Sequence, residues 1–172
     1  MRFVSVSKSR FKRINPMILV SLTWILGLLL GSWFAFANWQ GIARMVAQAC
    51  VTPHSVFFAF LNNTALFGSV FLLYRYFGKF KVLPIVLLKA FLLSICGIAI
   101  SHVYGSAGWL VSGLLLFSDF GICFVLLLFS FRILRSKKVL QMRDCSAYFG
   151  IALVMILFDH FVVSPFLRML FT

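Results

Sequence analysis

The chain has 172 residues, 63% of them hydrophobic and only 11% charged, so a soluble domain of this size could not hide its apolar surface from water, and lipid is the expected solvent. Sixteen Lys and Arg stand against three acidic residues, Asp119, Asp144 and Asp159, with no Glu, for a net charge of +13. In a soluble protein that balance would point to nucleic acid; between apolar runs it reads as topology signals that meet anionic headgroups, so lipid is the expected partner and nucleic acid is not.

Crossing the hydrocarbon core takes about 20 apolar residues. The length leaves room for five such spans and no separate globular domain, so an all-α polytopic membrane helix bundle is expected: a basic cytoplasmic leader, 1–16, and one transmembrane domain, 17–172. The first span, 17–37, follows Lys8, Arg10, Lys12 and Arg13 and is too long for the apolar core of a cleaved signal. It reads as a signal anchor, with cleavage after Ala35-Phe36-Ala37 as the alternative. Residues 39–52 then place Ile42, Met45, Val46 and Ala49 at helical spacing beside Gln40, Arg44 and Gln48, the pattern of a short helix along the outer interface.

The second span, 55–74, leads into a basic turn with Arg75, Lys79 and Lys81, broken by Gly78 and Pro84. The third and fourth spans, 82–104 and 108–131, are joined through Gly105-Ser106-Ala107-Gly108, which suits a tight hairpin. A basic loop with Arg132, Arg135, Lys137, Lys138 and Arg143 precedes the fifth span, 147–163, which ends before Pro165. On this alternation thirteen basic residues lie inside and only Arg44 and Arg168 outside, so the N-terminus is expected in the cytoplasm and the C-terminus outside, in a bacterial cytoplasmic membrane. Tyr74, Tyr76, Tyr104 and Trp109 fall at expected interfaces, and Gly97, Gly105, Gly108, Gly113 and Gly121 are expected to let spans three and four approach closely.

Two ionisable residues lie deep within spans. Lys89 sits about 10 Å in from the cytoplasmic end of span three and Asp119 about 18 Å in along span four, by the helical rise. Burying either alone costs roughly 2.5 to 3.5 kcal/mol. They read either as a polar latch or ion path between spans, or, on the preferred plainer reading, as a snorkelling Lys89 and an Asp119 that is protonated or bonded to a neighbour such as Ser118. Lys89 is nevertheless expected to bond to a polar group inside the bundle, being the deepest basic residue.

His54, His102 and His160 fall near the outer face with Asp159, but without the close spacing of a metal site, so hydrogen bonding is the preferred role and no metal or cofactor is expected. Four scattered cysteines lack C-x-x-C spacing and read as packing residues. Without Glu neither paired glutamates nor H-E-x-x-H can be built, and G-x-S-x-G and phosphate loops are missing, so no enzyme is expected.

Short stretches in order resemble the stage II sporulation protein M family, small membrane proteins of endospore-forming bacteria: Gly27-Leu28-Leu29-Leu30-Gly31, Phe60-Leu61-Asn62-Asn63, Leu83-Pro84, Leu87-Leu88-Lys89-Ala90-Phe91, Gly108-Trp109, and Asp159 followed by Val163-Ser164-Pro165-Phe166-Leu167-Arg168. The chain departs from that family where its Pro-Gln-Asn would fall near Gly121-Ile122-Cys123, and where Ala90 replaces a glycine. The resemblance implies a non-enzymatic scaffold that recruits peptidoglycan-degrading enzymes, stage II sporulation proteins D and P, for septal wall thinning during engulfment. The alternative is a small membrane transporter or channel subunit centred on Lys89 and Asp119. The outer surface for a partner is expected from 39–54 together with Asp159, Ser164 and Pro165, with Arg44 facing a partner's acidic group or, on the plainer reading, a headgroup.

Overall fold

The computed structural model describes residues 15–38, 56–105, 110, 112–113, 116–136, 142–163 and 165. Helix α1 spans Pro16–Ala37. Asn15 starts it: the side-chain carbonyl accepts the Met17 N–H at 3.0 Å, and Pro16 occupies the first turn, where its missing N–H has no cost. Helix α2, Val56–Phe77, is ended by Gly78 at φ 95, a left-handed value that favours glycine, with the Gly78 N–H bonded to the Tyr74 carbonyl at 3.2 Å. A short 3-10 turn, Lys79–Val82, then enters α3, Leu83–Val103, with Pro84 in its first turn. Helices α4, Phe117–Arg135, and α5, Met142–Phe158, follow, and α5 runs into a π turn over Asp159–Val163.

Helix α1 lies along α3 in the same direction, because Gly27 meets Leu87 and Ala90 while Gly31 meets Phe91 and Ser94. A Cβ on Gly27 would stand 2.6 Å from the Leu87 carbonyl oxygen and 2.7 Å from the Ala90 Cβ, so only glycine permits this backbone approach. The contact is extended by the Ser32 and Ser94 hydroxyls at 2.8 Å and by Phe34 and Phe91, whose rings are 5.6 Å apart. Helices α4 and α5 run antiparallel: Phe129 pairs with Tyr148 at 5.0 Å and Phe117 with Phe158 at 5.8 Å. Phe67 brings α2 to both, 6.1 Å from Phe129 and 5.4 Å from Phe149. All five helices thus share one core, through Val20, Phe67, Val86, Phe129 and Ile156 among others.

The described elements are helical throughout, and two of them, Pro16–Ala37 and Lys79–Val103, are long and apolar enough to cross a membrane. The expected ends shift at several points. Helix α4 carries Arg132 and Arg135 in its last turn rather than in a loop, and α5 starts at Met142, five residues before the expected 147, because no breaker separates Met142 from Ala147. Tyr74, expected at an interface, is buried in the core. The expected glycine-mediated approach of 82–104 to 108–131 is also corrected. A Cβ on Gly97 would make only an ordinary 3.6 Å contact with Leu116, Gly105 and Gly113 face open space, and Gly121 packs on Met155 of α5. Close approach belongs to α1 with α3. The leader, the interfacial segment 39–52 and Trp109 lie outside the described residues.

Gly27→Ile should therefore force α1 off α3 and lower stability by about 2 kcal/mol, as overpacking does, read as a fall in Tm in detergent. Gly113→Ala, in open space, should leave Tm unchanged.

Candidate functional site

Helices α3 and α4 meet along matched stripes whose members are spaced alternately by four and three residues. From the end of the 3-10 turn along α3 the stripe is Val82, Val86, Lys89, Leu93, Cys96 and Ile100; from the residue that caps α4 onward it is Leu116, Asp119, Cys123, Leu126, Ser130 and Ile133, continued backward by Ser112. Such a repeat keeps one face turned to its partner over several turns. The aliphatic members are buried, and Leu93, Ile100, Leu116 and Cys123 form one cluster. Toward one end Ser101 donates to the Ser112 hydroxyl at 3.4 Å.

Within this seam the Lys89 ammonium donates to Asp119 Oδ1 at 2.6 Å, a charge-assisted bond at the short end of its range. The two partners are unequally covered: the Lys89 side chain is 18% exposed and that of Asp119 39%. Asp119 also lies in the first turn of α4, where unpaired amide N–H groups favour a negative charge. Cys123 is buried in the cluster with Leu93, and Cys96 is partly buried against it. Farther along α4 the Ser130 hydroxyl is fully buried without a hydrogen-bond partner.

The pairing is the arrangement that the latch reading expects. The Lys89 ammonium is held by the carboxylate, so a mostly buried cation and a partly exposed anion satisfy each other in the seam. Asp159 lies at the start of the π turn, and Pro165 is exposed beyond it. Arg44 and Ser164 lie outside the described residues, as does His54. His102 ends α3, and His160 packs edge-on against Phe161 at 5.2 Å. Among the described residues no group of three or more His, Cys, Asp or Glu is placed to hold a metal ion.

Sequence reasoning missed the Ser32–Ser94 contact. The signals were present: the four-three spacing through Lys89 and Asp119, and Gly27-x-x-x-Gly31, a small-residue motif of close helix pairs in lipid. Comparison with known proteins finds no matching family, no matching curated protein and no matching solved structure.

Lys89→Leu and Asp119→Leu should each leave one buried charge without its partner and cost roughly 2 kcal/mol, less than a fully buried pair because Asp119 is partly exposed. The double variant should recover most of that loss. A thermal-shift double-mutant cycle in detergent checks this, and additive losses would mean that the two residues act separately.

Proposed function

We propose that this chain is a five-span integral protein of the bacterial cytoplasmic membrane, with its N-terminus inside and its C-terminus outside, that serves as a non-enzymatic scaffold for extracytoplasmic partners. The observation that carries the membrane reading is inverted polarity. Leu29 and Trp33 on α1, Leu61 and Leu72 on α2, Leu88 and Leu92 on α3, Phe120 and Phe124 on α4, and Ile151 and Val154 on α5 are all exposed, while a lysine and an aspartate pair between helices. In water such a surface would aggregate; in lipid it is the ordinary exterior of a bundle.

Helix directions support the alternation. The parallel run of α1 with α3 and the antiparallel runs of α3 with α4 and α4 with α5 are what successive crossings require. Arg75, Lys79, Lys81, Arg132 and Arg135 lie at the end assigned to the cytoplasm. The scaffold role is supported by a polar centre whose two charges are spent on each other, and by the resemblance to the stage II sporulation protein M family. That resemblance supplies the partner class, peptidoglycan-degrading enzymes engaged in septal wall thinning. Their contact surface is assigned to 39–54 with the outer end of α5, Arg44 and Ser164 included.

One observation favours a second reading, a small transporter or channel subunit: Asp119 keeps 39% of its side chain exposed while bonded to Lys89. An exposed carboxylate at that depth could exchange a proton or an ion.

Reporter fusions after Lys138 and after Thr172 should report opposite sides of the membrane, and the same side for both refutes the five-span topology. In a detergent pull-down, Arg44→Glu should lose a cell-wall hydrolase that the unaltered chain retains, while Asp119→Asn keeps it. Retention by both Arg44→Glu and Ser164→Trp would place the contact elsewhere, and loss of solute flux in Asp119→Asn would favour the transporter.

A further inference from the structure

One end of the bundle carries cations on three connected elements. Arg75 is exposed in the last turn of α2, Lys79 and Lys81 stand on the 3-10 turn, and Arg132 and Arg135 are exposed in the last turn of α4. The elements are held side by side: Phe67 of α2 packs near Phe129 of α4, and Val82 of the turn shares a core cluster with Ile133. The one carboxylate assigned to this end by sequence is Asp144, the third residue of α5.

The turn is also a defined shape. Gly78 at φ 95 reverses the chain, its carbonyl accepts the Lys81 N–H at 3.2 Å, and Val82 is fully buried beneath, which anchors the stretch that bears both lysines. Tyr76, Phe77 and Phe80 are exposed next to these cations, and the Arg135 guanidinium lies over the Phe131 ring at 5.9 Å. Cations interleaved with exposed rings match a ligand that is anionic at one end and hydrocarbon at the other. The cations meet phosphate oxygens while the rings lie against the upper acyl chains.

We propose that the Gly78 turn and the end of α4 together form a site for an anionic glycerophospholipid, which tethers α2, α3 and α4 at their cytoplasmic end. The inference rests on the membrane reading and adds to it a saturable site, whereas general surface charge would attract any anionic lipid without regard to the turn. Each lysine near such a surface contributes about a factor of 5, so losing two weakens binding about 30-fold.

The test uses the full chain purified in neutral detergent, with Tm followed as phosphatidylglycerol is added. A saturable rise in Tm is expected with phosphatidylglycerol, and none with phosphatidylcholine or with inorganic phosphate at equal concentration. Lys79→Gln with Lys81→Gln should shift the half-saturating concentration upward about 30-fold while keeping the lipid-free Tm. Lys8→Gln with Lys12→Gln, the same charge change in the leader, should leave it unchanged. An equal rise with phosphatidylcholine, a rise with inorganic phosphate, or equal weakening by both double variants would overturn the proposal. Alkaline carbonate extraction of native membranes separates the two levels. A chain that stays in the pellet but shows no lipid selectivity defeats only this inference, and a chain released into the supernatant defeats the membrane reading and this inference together.

Discussion

A lysine on one apolar helix and an aspartate on the next are each costly among apolar side chains unless they find a partner, and this constraint governs how α3 and α4 meet. The stripe Val82, Val86, Lys89, Leu93, Cys96, Ile100 would pack aliphatic residues acceptably in several registers against Leu116, Cys123, Leu126 and Ile133. Slide α4 by one heptad and those contacts are replaced by similar ones, whereas Lys89 then faces Ser112 or Leu126 and Asp119 faces apolar side chains. The difference between registers is therefore close to the cost of two unpaired charges, several kcal/mol, and far exceeds what rearranged methyl contacts would supply. The 2.6 Å bond identifies the register that avoids that cost, and the Ser101 to Ser112 contact lies where the same antiparallel register places it.

Once α3 is fixed against α4, its other face is available to α1, and the chemistry there is different. Ala90 and Ser94 are small, and Gly27 and Gly31 let the α1 backbone settle onto the Leu87 and Phe91 carbonyls. Contacts this close gain from dispersion and from weak bonds to carbonyl oxygen. Helix α3 is thus the central element: a charged and aliphatic seam on one side, a small-residue face on the other, and Leu88 and Leu92 left to the exterior.

The helices themselves were legible, because long apolar runs and Pro, Gly and basic punctuation mark them; 17–37 and 82–104 match α1 and α3 to within a residue. Their ends were less so, since Arg132 and Arg135 signal a loop by charge yet continue a helix, the Arg135 guanidinium lying back over the Phe131 ring. Lys89 and Asp119 were singled out by their depth, but depth alone cannot give rotation about the helix axis, and so could not say whether they face each other. The four-three spacing holds that information. Glycine was weighed where it was abundant, on the spans flanking the hairpin, when the decisive pair was the one separated by three leucines in α1.

The packing of α1 bears on whether that helix is retained or removed. A cleaved signal sequence leaves no gap, because the mature chain buries its own surface without it. Here Val20 lies in the main core cluster, Trp24 packs against both clusters, Gly27 covers Ala90, itself fully buried, and Gly31 covers Ser94. Cutting after Ala37 would uncover Ala90, Ser94 and the carbonyl-lined groove between them, and would leave the Ser94 hydroxyl without its Ser32 partner. A groove narrow enough to exclude every side chain but hydrogen is poorly filled by flexible lipid chains, so its lining would forfeit contacts that α1 supplies. Helix α1 is therefore a structural wall of the bundle, the role a retained helix would fill.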